Sequence, residues 1–224
     1  MSHDHMLNRA QAIADLVLAL GKVNRATWHP DGTPETDTTH TVMLALLAAD
    51  LAPEADPPLD RGEVALYAIV HDLVEAYAGD TNTARGLSLD AMASKAEREA
   101  AALARIKQDL SASPWIINLI EGYELQINPA ARFVRFLDKV TPKLTHVRNG
   151  CAAVKAIGMT LDEVREKHAQ QGAELRGRYP EQDLADRVFH AACDACEVAY
   201  VDAALPFDDP LMLTDLELQE LTGG

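Results

Sequence analysis

Four ionisable side chains crowd into one short stretch of this chain: His71 and Asp72 side by side, Glu75 one helical turn on, and Asp80 just past Gly79. They follow an apolar run containing Val64, Leu66, Ile69 and Val70, where a polar group must be paired or must bind something. Taken alone, a His-Asp dipeptide in such a run is more often a satisfied core pair than a ligand set. Two further residues extend the pattern. His40 opens a helix after a polar loop, and Asp138 stands in the otherwise apolar stretch that runs through Phe133, Phe136, Leu137 and Val140. Two imidazoles and two carboxylates carried by separate helices are how helical bundles build metal sites. That donor set suits one divalent transition metal, Mn, Co, Fe, Ni or Zn, with Mg also compatible, and it leaves coordination positions open for water and substrate. Open coordination positions point to catalysis rather than to a purely structural ion.

The elements that must position these groups are helices. Apolar residues recur at spacings of three and four almost throughout, Ala, Leu, Glu and Lys dominate, and β-branched runs are short. The expected fold class is all-α, a single-domain helical bundle. The pattern predicts helices over 7–20, to 51 after a Thr38 or Thr39 cap, 63–77 after an Asp60 cap, 91–110 and 114–125. Further helices are expected from 129 onward with a kink at Pro142, over 161–178 and 181–204, and, short and acidic, over 211–221. A polar loop is expected over 28–37 and a turn over 53–58. His3 and His5 read as a mobile terminus, and the Lys95, Glu97, Arg98 and Glu99 run as a solvated helix face.

Composition limits the partners. The 224 residues carry 20 Lys plus Arg against 35 Asp plus Glu, a formal net charge of −15, which repels a nucleic-acid polymer. Cys151, Cys193 and Cys196 hold only one CxxC pair, which reads as buried thiols in a reducing cytoplasm rather than a zinc knuckle. No apolar run approaches the roughly 20 residues of a membrane span, and no secretory leader opens the chain, so a cytoplasmic location with no membrane partner is expected. A chain of this length buries enough surface to fold without a metal, so a metal here serves chemistry.

The run formed by His40, HDLVEAYAGD from His71 to Asp80, and FVRFLDKV around Asp138 resembles the HD-domain metal-dependent phosphohydrolases. Within that superfamily it is similar to the small 5′-deoxynucleotidase group. RATW over 25–28, ETDTTH over 35–40 and EGYE over 121–124 resemble further motifs of that group. The resemblance covers roughly 7–147 and implies an HD core over 1–150; residues 151–224 match no family motif and are expected to form a helical extension packed on the same domain. It implies metal ligation by His40, His71, Asp72 and Asp138, with Glu75 on the attacking water and Asp80 beside it. Arg25 would grip phosphate and Trp28 would offer a face to sugar or base. It also implies a nucleotide substrate and a homodimer. The chain departs from the group in carrying Thr38 and Thr39 where Ser is common, and in separating Arg25 from Trp28 by two residues.

These observations point to a 5′-nucleotidase releasing phosphate from (deoxy)nucleoside 5′-monophosphates. A deoxynucleoside triphosphate triphosphohydrolase is the alternative, for which Arg25, Arg85, Lys139 and Lys143 are the candidate extra cations. A non-catalytic nucleotide sensor is the other. Ala76 after Glu75 disfavours alarmone hydrolysis, and the missing GYP signature disfavours cleavage of cyclic dinucleotides.

Overall fold

In the computed structural model, which describes residues 3–83 and 86–202, helices α1 (His3–Leu20), α2 (Asp37–Leu51), α3 (Arg61–Val70) and α4 (Glu75–Ala78) form the first half of the bundle. Then come α5 (Leu89–Asp109), α6 (Pro114–Glu124), α7 (Pro129–Asp138), α8 (Thr141–Arg148), α9 (Ala152–Ala156), α10 (Leu161–Arg178) and α11 (Asp183–Asp202). The fold is all-α apart from a hairpin of β1 (Asn24–Trp28) and β2 (Pro34–Thr36). The acidic helix expected over 211–221, and Arg85, lie outside the described residues.

The hairpin replaces most of the expected polar loop. The turn follows from Pro30, Asp31 and Gly32. Gly32 takes a positive φ of 84°, and the Asp31 carboxylate accepts from the Thr33 amide and hydroxyl. The cap of α2 is Thr36, whose hydroxyl accepts from the Thr39 amide at 3.2 Å, rather than Thr38 or Thr39 themselves. His3 lies within α1, not in a loose terminus.

Two buried clusters hold the elements together. In one, Leu44, Val64, Phe133, Phe136, Leu175 and Phe189 join α2, α3, α7, α10 and α11, so residues on both sides of position 150 share a core. In the other, Leu16, Leu20, Val70, Ile106, Ile116 and Ile120 join α1, α5 and α6 to the end of α3. The long helix expected over 63–77 breaks at 71–74. There the backbone makes i to i+3 bonds, Leu73 N–H to Val70 O and Glu75 N–H to Asp72 O, before α4 resumes and Gly79 ends it. The helix expected to kink at Pro142 is likewise two: Pro142 sits in the first turn of α8, where its missing N–H costs nothing. All three cysteines are free and buried, as their sequence context suggests. Among the described residues no helix is long and apolar enough to cross a membrane.

Candidate metal centre

The ends of three helices converge on one point. His40 comes from the first turn of α2, His71 and Asp72 from the break after α3, and Asp138 from the last residue of α7. Each offers one ligand atom, and the four atoms lie within 4.8 Å of one another. His40 Nε2 stands 3.0 Å from Asp138 Oδ1, and His71 Nε2 stands 2.8 Å from Asp72 Oδ2 and 3.6 Å from Asp138 Oδ1. Donors about 2.1 Å from a central ion lie roughly 3 Å apart at right angles and roughly 4.2 Å apart across it, so these separations fit a single coordination shell. His40 and Asp138 are 98 positions apart in sequence.

The imidazoles are turned so that Nε2 faces the centre. His71 Nδ1 donates to the Ala68 carbonyl at 2.7 Å, which turns Nε2 inward, and that buried atom makes no well-aligned hydrogen bond despite its short approach to Asp72. His40 Nδ1 donates to Thr141 Oγ1 at 3.3 Å, and the Thr141 hydroxyl donates in turn to the Asp138 carbonyl at 3.1 Å. Such outer partners fix tautomer and ring orientation for a metal-ligating histidine. Asp138 is oriented by Lys139, whose Nζ is 2.8 Å from Oδ2, leaving Oδ1 toward the imidazoles. The His40 and His71 rings lie 5.2 Å apart, and buried Tyr123 closes the far side of His71 edge-on at 5.9 Å. An orphaned buried Nε2 and a donor set of two imidazoles and two carboxylates fit a divalent cation.

Without an ion the charges compensate one another. Burial lowers the His71 imidazole, but the Asp72 and Asp138 carboxylates outweigh it and raise its pKa to about 10. Burial pushes Asp138 up, but Lys139, His40 and His71 hold it well below the usual carboxylate range. Burial dominates at His40, which is lowered even though Asp138 opposes the shift.

A second carboxylate group adjoins the first. Asp37, Asp72 and Glu75 bring oxygens within 4.8 Å of one another. Glu75 thus groups with Asp72, three positions back across the tight i to i+3 turn at 71–74. Burial, reinforced by Asp72, Asp80 and Asp37, pushes the Glu75 carboxyl far up, and its buried Oε2 has no hydrogen-bond partner. Arg25 Nη1 ties this group together with 2.9 Å bonds to Asp37 Oδ1 and Asp72 Oδ2.

A cleft of about 190 Å³ runs from Arg25, Asp80 and Lys139 toward α8–α11, past Lys143, His146 and Lys167 and an apolar wall that includes Val154 and Met159. Asp80 is half-buried at its mouth, and burial raises its pKa against the pull of Arg25. Trp28 is turned the other way. It packs on Ala152 and Ala153, its carbonyl accepts from the Asn149 side chain, and it is not among the residues lining this cleft. Glu121 is at the surface with Lys107, 2.6 Å away.

Several contributors carry no motif. Asp37, fully buried, reads in the sequence as the end of a polar loop, and Thr141, also fully buried, falls inside the helix expected from 129 onward. Glu35, also fully buried, accepts from Thr27 and Thr145 and braces β1 and β2 against α8. His146 and His168, given no role from the sequence, both line the cleft. Arg98, expected on a solvated face, donates to Ala78 O and Thr81 Oγ1 and so anchors the segment carrying Asp80. For Asp37 the available signal was its place three residues before His40, one helical turn from a ligand.

A model of the HD domain family matches residues 18–192. The crystal structure of a predicted metal-dependent phosphohydrolase from Magnetospirillum magnetotacticum MS-1 superposes with a TM-score of 0.62 at 26% sequence identity, over 86% of this chain and 95% of that one. No curated protein matches the sequence significantly.

Proposed function

Because the chain belongs to the HD-domain family, we propose that it is a metal-dependent phosphohydrolase acting on nucleotides, a 5′-nucleotidase that releases phosphate from (deoxy)nucleoside 5′-monophosphates. The observation that carries this reading is the convergence of His40, His71, Asp72 and Asp138 beside a cleft lined by Arg25 and Lys139, which pair with Asp72 and Asp138. The similarity to a predicted metal-dependent phosphohydrolase supports it.

A divalent ion held by those four residues would polarise the phosphoryl group and lower the pKa of a bound water. The chain's own groups do the rest. Glu75, with an uncommitted Oε2, orients the attacking water; a divalent cation beside Asp72 would offset the carboxylate repulsion that pushes the Glu75 carboxyl up, and so leave it ionised to take the water's proton. Asp80, half-buried and raised in pKa, stands where it can protonate the leaving 5′ oxygen. Arg25 spends one nitrogen, Nη1, on both of its ion pairs, so the rest of its fork is free of them and suits phosphate oxygens, which a lysine would not match bidentately. Trp28, packed on Ala152 and Ala153, anchors the hairpin that carries Arg25.

A homodimer is proposed as the assembly. Val42 and Leu46 on α2 and Leu66 and Ile69 on α3 are exposed on helices packed against each other, and a second copy would cover that apolar surface.

The test is product analysis by ion-exchange chromatography after incubating metal-loaded protein with deoxy- and ribonucleoside mono- and triphosphates. Orthophosphate from the monophosphates is the expected result. Intact triphosphate released from the triphosphates would replace this reading with a triphosphohydrolase, and no product with Mn, Co or Mg would replace it with a nucleotide sensor.

A further inference from the structure

Lys143 presents a problem the metal centre does not solve. It is 5% exposed, and its ammonium donates to the Lys139 carbonyl and to Gln171 Oε1, both at 2.9 Å, while lying 4.4 Å from the centroid of the Phe189 ring. An ammonium has three N–H donors, and here the two acceptors that hold it are neutral. Among the described residues no carboxylate forms a salt bridge with it. The neighbouring side chains differ: Lys139 pairs with Asp138, and His168 lies 3.1 Å from Glu197. A buried charge without a counter-charge is costly unless something supplies one.

The surroundings show what would. Lys143 lines the cleft together with Lys139 and Lys167, a concentration of ammonium groups in a chain whose formal net charge is −15, and with His146, whose imidazole burial and the Lys143 charge push down to about 4, so that it is neutral. His146, one turn further along α8, has a buried Nδ1 with no hydrogen-bond partner. An unpaired buried ammonium and an unpaired imidazole on one helix face call for an acceptor-rich anion of small size.

We propose that Lys143 and His146 form an anion subsite within the cleft, separate from the phosphoryl position at the metal centre, that takes a phosphate group. This rests on the phosphohydrolase reading only for what the phosphate belongs to. It is either a second phosphate of a nucleotide whose scissile phosphate sits at the metal centre, or free orthophosphate. Burial lowers the Lys143 pKa to about 8, which leaves the ammonium charged at neutral pH.

The experiment is calorimetric titration of the full chain, stripped of metal by chelator, with inorganic phosphate. Wild type is expected to bind, and Lys143→Met to bind at least tenfold more weakly with an equal or higher Tm, because methionine fits the buried stem and removes the unpaired charge. Lys143→Arg should restore part of the binding. His146→Phe, which keeps Lys143, should weaken binding as well and serves if Lys143→Met does not fold. Equal phosphate binding by wild type and Lys143→Met, or by wild type and His146→Phe, would overturn the subsite. No hydrolysis is needed for these titrations, so the subsite and the phosphohydrolase reading fail independently. Kinetics of metal-loaded protein then separate the two sources. A larger rise in KM for a nucleoside diphosphate than for the monophosphate in Lys143→Met marks a substrate-borne phosphate. Equal changes with loss of orthophosphate inhibition mark the free anion.

Discussion

Two residues separate holding the metal from using it. Glu75→Gln keeps the shape of the side chain but removes its ability to take a proton, so metal content is expected to stay stoichiometric while the rate falls by about 10²–10⁴, as measured by elemental analysis and phosphate release. Thr141→Val removes the hydroxyl that links His40 Nδ1 to the Asp138 carbonyl. It is expected to weaken metal affinity by about 10–100-fold with little change in thermal stability, read by competition with a chromophoric chelator. His40, His71, Asp72 and Asp138 stand out in the sequence because a charge inside an apolar run needs a reason. Asp37 and Thr141 do not stand out. Each sits at the start of a helix, where an acid or a threonine is ordinary, and only the fold reveals that one meets Arg25 and the other His40.

At the scale of elements, helical periodicity finds most of the bundle, including α10 at the boundaries expected. It misses the places where a helix changes pitch. The apolar pattern runs on through 71–74, so nothing in it announces the tight turn that sets Glu75 beside Asp72. The β hairpin escapes for a different reason: five residues of β1 and three of β2 are too short to set up an alternation, although Pro30, Asp31 and Gly32 mark the turn. Gly79 tests how much this local geometry matters. It adopts φ 76° and ψ 152°, a region nearly closed to residues with a Cβ, and a Cβ there would touch nothing. Gly79→Ala should therefore cost about 1–3 kcal/mol through backbone strain alone, measured by urea denaturation, and should lower activity by displacing Asp80.

At the scale of the whole molecule, the surface and the interior make separate demands. Leu46→Glu places a charge on the exposed apolar face of α2 and is expected to convert the proposed homodimer to monomer in light scattering, with the metal centre intact. The interior is set by distance along the chain. The His40 to Asp138 contact joins residues 98 positions apart. Closing so long a loop is an entropic step that falls to the packing of α2, α3 and α7 around Leu44 and Phe136, well before four ligand atoms can meet. An ion bound after that packing would act as a latch on a finished structure, an order that kinetics can test. Saturating metal at 100 times its Kd should add about 2.7 kcal/mol of stability. In stopped-flow experiments that gain should appear almost wholly as unfolding slowed by about 100-fold, with the refolding rate unchanged.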